Sequence, residues 1–119
     1  MSNPSNYARV KFVLKMIGNI ETIIKRHGSI SDSLEDDIEA KPAILMSLMQ
    51  IGETINKIDT DILEEYFLID DAKGAYNVRN FIAHDYEGVN IQLIELLLED
   101  NIPKLKSKFI DILTELNQN

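Results

Sequence analysis

Apolar positions return every three or four residues along nearly the whole chain, and hardly any stretch alternates in the manner of a strand. Val10, Val13, Leu14, Ile17, Ile20 and Ile24 form one such stripe, with Phe12, Met16 and Ile23 as a second. The pair of stripes predicts a first helix packed on two neighbours. Asn3 is a good N-cap for it, and Pro4 follows where a missing N–H is harmless. Lys25 and Arg26 suit its last turn, and Gly28 suits a left-handed stop.

Residues 29–40 are acidic and polar, with Ser31 or Ser33 able to cap a short helical turn. Pro42 then opens a second long helix carrying Ile44, Leu48, Ile51, Ile55 and Ile58, with Leu45 and Met49 alongside. Gly52 sits in its middle. Glycine there costs about 1 kcal/mol relative to alanine, which points to close helix–helix contact. Asp59 or Thr60 can cap a short helix through Tyr66, and Asp70 or Asp71 the next one, with Ala75, Val78, Phe81 and Ile82 on its inner side. After a loop at Gly88 the pattern is helical again from Ile91. Pro103 kinks or restarts that helix, and Ile102, Leu105, Phe109, Ile112 and Leu116 line its last face. The expected fold is all-α: a four- to five-helix up-and-down bundle in one domain spanning residues 1–119. Apolar residues on more than one side of the first and last helices predict a two-fold homodimer.

Composition narrows the function classes. At 45% hydrophobic and 27% charged residues the chain has ordinary globular usage, so disorder is not expected. It contains no Cys, which leaves no disulfide or thiolate metal site, and its two histidines, His27 and His84, are far apart in sequence, which speaks against zinc. No cofactor or metal is expected. Arg9, Lys11 and Lys15 interrupt the N-terminal apolar pattern, so no signal peptide or membrane span is readable and the cytoplasm is the simplest compartment. A net charge of −8 disfavours generic nucleic-acid binding. The basic residues Arg9, Lys11, Lys15, Lys25 and Arg26 gather in the first helix, where they read as a solvated face before a local basic patch.

One segment differs from core and solvated surface: Arg79-Asn80-Phe81-Ile82-Ala83-His84-Asp85-Tyr86. Asn80 and His84, four apart, stack on one helix face. Arg79 and His84, five apart, are separated by about 140° around a helix of about 3.6 residues per turn. A long Arg side chain closes part of that gap, or a second subunit contributes. Tyr86 falls just past the helix end, where a phenol can bend back toward the imidazole. Arg offers a fixed fork of donors for phosphate oxygens, His exchanges a proton near neutral pH, and an Asn amide orients either partner. A metal is not demanded, because ribose carries its own nucleophile in the 2′-hydroxyl. An Arg-x4-His spacing by itself often serves only surface bonds or a helix end.

These residues resemble the Arg-Asn-x3-His-x-Tyr motif of the HepT-like HEPN proteins, including the Ala83 before the histidine. Leu48 to Lys57 (LMQIGETINK) is similar to that family's second-helix segment, and Gly88 to Lys106 (GVNIQLIELLLEDNIPKLK) to its closing helix. The resemblance covers roughly residues 42–110. The stretch from Leu68 to Tyr76 departs from it, lacking the Pro-Trp often found there. The resemblance implies a homodimeric bundle whose motifs meet at the subunit interface. It implies a metal-independent endoribonuclease acting as a toxin on RNA, paired with a minimal nucleotidyltransferase antitoxin. It further implies that Tyr86 accepts the AMP that neutralises the toxin.

In that reading His84 is general base toward the 2′-hydroxyl or general acid toward the leaving 5′-oxygen, and Arg79 stabilises charge on the phosphate. Asn80 orients the histidine or the phosphate. The rival is a non-catalytic interaction module that binds the nucleotidyltransferase and accepts AMP, which the acidic net charge favours somewhat. Glu53, beside Gly52, reads first as a bundle-edge carboxylate and second as a partner of Arg79. His27 reads as a helix-terminus cation or an exposed residue. The run Glu35, Asp36, Asp37 and Glu39 reads as solvated rather than as a cation site. Tyr7, Tyr66 and Tyr76 are expected at the bundle's edges.

Overall fold

The computed structural model describes residues 4–117, so Asn3, the expected first cap, lies outside the described residues. Helix α1 spans Pro4–His27 and ends as its sequence predicts. Gly28 follows at φ +94°, its N–H donating to the Ile24 carbonyl at 2.9 Å. Helix α2, Ile30–Glu35, is capped by Ser29 rather than by Ser31 or Ser33. The Ser29 hydroxyl accepts the Asp32 N–H at 3.0 Å, while Ser33 is buried within the helix and donates back to the Ser29 carbonyl at 2.8 Å.

Helix α3, Ala40–Ile55, starts two residues before Pro42. The proline still falls in the first turn, where its missing N–H has no partner to lose. The donors at this helix start go to Asp36: one carboxylate oxygen accepts from Ile38 and Glu39 at 3.2 and 3.3 Å, the other from Ala40 at 3.1 Å. His27 completes the clasp, with Nε2 3.1 Å from Asp36 Oδ2 and Nδ1 2.9 Å from the Ile23 carbonyl. Asp36 therefore has a structural task. Its carboxyl is held below the usual range first by the Ala40 and Glu39 N–H groups, and His27 is raised above 6.5 first by the Ile23 carbonyl and then by Asp36.

Helix α4, Thr60–Glu65, has Asp59 at its cap position, yet that carboxylate serves another helix. Fully buried Asn6 donates to Asp59 Oδ2 at 2.9 Å and accepts the Asp59 N–H at 3.1 Å, tying α4 to the start of α1. Helix α5, Ile69–His84, has Leu68 at its cap position, two residues earlier than an Asp70 cap would place it. Asp70 and Asp71 lie inside its first turn instead, where negative charge suits the helix dipole. Asn90 caps α6, Ile91–Leu96, by accepting the Leu93 N–H at 3.2 Å. A π turn, Leu97–Asn101, joins α6 to α7, Ile102–Asn117, and Ile102 N–H reaches back five residues to the Leu97 carbonyl. Pro103 cannot donate to the carbonyl four residues before it and would crowd it, so a widened turn just upstream is its local effect.

The result is four long rods and three short helices, with no strand among the described residues. The third helix lies between α1 and α5, and α7 packs on the other side of α1, which is why α1 needs two apolar stripes. Val13, Ile17, Ile44, Ile51, Phe109 and Ile112 form the centre, each at most 1% exposed. Truncating a side chain such as Phe109 to alanine costs about 3–5 kcal/mol. One inner-face expectation fails: Phe81 is 65% exposed, because α5 turns Ala72 and Ile82 toward the core instead. Tyr7, Tyr66 and Tyr76 are half-buried at the edges, as expected.

Candidate active site

The site begins with the contact between α3 and α5. A Cβ on Gly52 would lie 2.5 Å from the Ala75 carbonyl oxygen and 2.8 Å from Arg79 Cβ, closer than real side chains approach. Glycine at 52 thus lets α5 lie directly on α3 and seats the base of the Arg79 side chain over that contact. The next residue on α3 is Glu53, and its Oε1 accepts from Arg79 Nε at 3.0 Å and from Nη2 at 2.5 Å. Arg79 Nη1 donates to Asn80 Oδ1 at 3.1 Å, and its guanidinium stands 5.9 Å from the centre of the Tyr76 ring. The arginine is held on one edge by a carboxylate and on the other by its neighbour's amide. Its remaining N–H groups are directed elsewhere, and its side chain is 29% exposed.

Glu53 is therefore not a bare edge carboxylate. Of the two readings open for it in the sequence, the structure takes the one in which it partners Arg79. The signal was the Gly-Glu pair in the last turn of α3, with Glu53 26 residues before Arg79 in sequence but in contact with it through one close helix crossing.

Arg79, Asn80 and His84 border one open depression of ≈520 Å³ together with Phe81 and Ala83. His84 is the last residue of α5 and is exposed, with no hydrogen bond to its ring among the described residues. Asn80 lies one turn before it on the same face, as the spacing predicts. Tyr86 is not among the residues bordering this depression, and no Tyr86–His84 hydrogen bond is present among the described residues. It sits 41% exposed in the turn after α5. That turn is shaped by Asp85, whose Oδ1 accepts the Gly88 N–H at 3.0 Å. A Cβ at 88 would meet the Asp85 carboxylate, which would have to move away from this turn.

Chemically the depression offers a fixed cation, an amide and an imidazole open to solvent. None of Arg9, Lys11, Lys15, Lys25 and Arg26 borders it. Among the described residues no three His, Cys, Asp or Glu side chains gather as metal ligands would.

An all-α bundle whose α5 ends in a cation, an amide and an imidazole has the layout of HEPN-type proteins. The family is more particular than that: the model described as Ribonuclease HepT-like matches residues 13–112, and the chain belongs to this family. The match begins within α1, well before the segments that carry the motif resemblance. No solved structure matches the chain. No described helix is long and apolar enough to cross a membrane.

Proposed function

We propose that this chain, as one helical domain, is the toxin of a toxin–antitoxin pair and cuts RNA without a metal, in the cytoplasm. The observation that carries the reading is the anchoring of Arg79 by Glu53 at the rim of the depression it shares with Asn80 and His84. A phosphate settling there meets an oriented guanidinium and a solvent-facing imidazole on adjacent helical turns. In the reaction the ribose 2′-oxygen attacks phosphorus as the P–O5′ bond breaks. His84 takes the 2′-hydroxyl proton as base, or gives one to the departing 5′-oxygen as acid. Arg79 offsets the charge that grows on the phosphate oxygens. Asn80 fixes the Arg79 head group and so the line between cation and imidazole. The products are a 2′,3′-cyclic phosphate and a 5′-hydroxyl.

A single chain leaves this depression wide open, and apolar side chains stand exposed near it. Phe81 is 65%, Leu93 41% and Leu96 54% exposed, and Phe81 and Leu93 flank a groove of ≈350 Å³ that also includes His84. Pairing two copies about a two-fold axis through this end of α5 would cover those groups and enclose the motif. Tyr86, on a turn two residues beyond His84 and partly exposed, is open to AMP transfer by a minimal nucleotidyltransferase. The added phosphate would bring an anion toward the cation that RNA needs.

The net charge of −8 and the carboxylate already on Arg79 favour a second reading, a non-catalytic module that only accepts AMP. Growth arrest separates the two. Expression of the chain alone should arrest growth, and His84→Ala should abolish the arrest. Co-expression with the nucleotidyltransferase should add the mass of AMP, lost in Tyr86→Phe. Arrest that survives His84→Ala would overturn the catalytic reading, and an AMP increment without any arrest would favour the second.

A further inference from the structure

A cleft of ≈240 Å³ opens between α3, α5 and the π turn with α7. It lies toward the start of α5: Asp70 belongs to its lining, while His84 is fourteen residues further on, about 21 Å at about 1.5 Å per residue. Leu48, Ile51, Val78 and Leu105 give it apolar walls, and Asp71 and Asn101 complete its polar side. An apolar cavity of about 150 Å³ can hold benzene, so this one has room for a leucine-sized group.

Gly74 lines the same cleft. A Cβ there would meet no atom within 4 Å, in contrast to Gly52, so no neighbour in this chain requires a glycine. Glycine weakens a helix interior, and its retention beside an open cleft fits the close approach of something from outside. Just before α5, Phe67 is 83% exposed, with Lys108 Nζ 5.6 Å from its ring centre. Phe67 precedes Asp70, in the lining of the cleft, by three residues in sequence.

We propose that this cleft is a docking site for a basic amphipathic helix of a partner protein. One aliphatic side chain would seat beside Gly74, another group would pack on Phe67, and Lys or Arg would face Asp70 and Asp71. Charge selects the occupant. Asp70 and Asp71 line the cleft and no Lys or Arg does, so a nucleic acid or an anionic lipid surface is repelled there and a cationic protein surface is attracted. The stretch of α5 from Asp70 to Val78 is about 12 Å long, enough for two turns of anchors at i, i+4 and i+7. The proposal is independent of the ribonuclease reading, because the cleft shares no lining residue with the Arg79–His84 depression.

The test titrates the full ¹⁵N-labelled chain with a 14-residue helical peptide carrying Leu at i, i+4 and i+7 and Lys or Arg at the flanks. A control peptide carries Glu in place of every Lys and Arg. The basic peptide should shift the amides of Gly74 and residues 97–105, and the acidic one should bind at least ten-fold more weakly. Gly74→Leu should fill the cleft and weaken the basic peptide at least ten-fold, and Asp70→Asn with Asp71→Asn at least three-fold. Should Gly74→Leu fail to fold, Gly74→Ala and Phe67→Gly carry the test: each should melt no lower than the parent and bind at least three-fold more weakly. Shifts confined to another face would overturn the proposal. So would unchanged affinity in the folded Gly74 variant, or an RNA oligonucleotide or anionic phospholipid vesicle moving the same amides.

Discussion

Replacing Glu53 tests how the site is held. In the parent, one carboxylate oxygen takes two of the Arg79 N–H groups, so the guanidinium presents a fixed edge. Both side chains are substantially exposed, at 29% for Arg79 and 45% for Glu53, so water screens the pair. Its contribution to folding is then at most about 1 kcal/mol, the upper end for exposed ion pairs. That corresponds to a melting change of about 3–6 °C for a domain of this size. The effect on cleavage is larger in kind. Without Glu53 the arginine must be ordered when phosphate arrives, at about 0.5–1.5 kcal/mol for one immobilised long side chain. Glu53→Ala should therefore lower kcat/KM about 2- to 12-fold, with KM rising more than kcat falls, because the ordering is incurred as RNA binds. Glu53→Gln keeps an acceptor for Arg79 and removes the competing charge, so it should retain kcat and lower KM for RNA. Steady-state cleavage of a fluorescent oligoribonucleotide, with melting curves on the same samples, reads both. If Glu53→Ala cleaves like the parent, the pairing does not position the arginine. If it is as inactive as Arg79→Ala, Glu53 itself takes part in the chemistry.

Other outcomes follow from the same contacts. Gly52→Ala should destabilise the bundle by about 1–3 kcal/mol through overpacking against Ala75 and Arg79, measured by urea denaturation; an unchanged midpoint would show that α3 and α5 separate freely. The His27–Asp36 clasp gives a pH dependence of two signs. The raised His27 contributes stability present below 6.5 and lost as pH rises through its higher folded value, while the depressed Asp36 contributes stability present above 3.8 and lost as pH falls through its lower one. Melting temperature against pH should therefore show a fall as pH rises above 6.5 that His27→Gln flattens; superimposable profiles would remove the clasp from the account. Arg79→Ala and His84→Ala should each lose about 10²–10⁴ in cleavage rate while melting close to the parent, since neither side chain is buried in the core. Unfolding of both variants would make the motif structural.

The long helices were legible because their apolar stripes are unbroken: Val10 through Ile24, Ile44 through Ile55, and Ile102 through Leu116 each keep helical spacing, although Ile58, expected on the second of these, falls past the end of α3. Caps were harder to read. Ser29 outcompetes Ser31 and Ser33 because only its hydroxyl faces the free N–H of Asp32, and Asp59 turns away from its own helix to meet buried Asn6. Both outcomes depend on neighbours that local pattern does not contain. Phe81 fits a helical stripe equally well inward or outward, and the Gly52 contact decides which face of α5 meets α3. In the site, the shared face of Asn80 and His84 followed from spacing, while their reading as a site rested on the family resemblance. The partner of Arg79 did not, since Glu53 lies 26 residues away and reaches it only through the close crossing at Gly52.

The most direct test of the account is RNA cleavage by the purified, unmodified chain in excess EDTA, with His84→Ala alongside. The account predicts that the parent cuts RNA, leaves 2′,3′-cyclic phosphate ends, spares DNA of the same sequence, and loses all of this in His84→Ala. Cleavage that stops with EDTA and returns with magnesium, or that persists in His84→Ala, would contradict it.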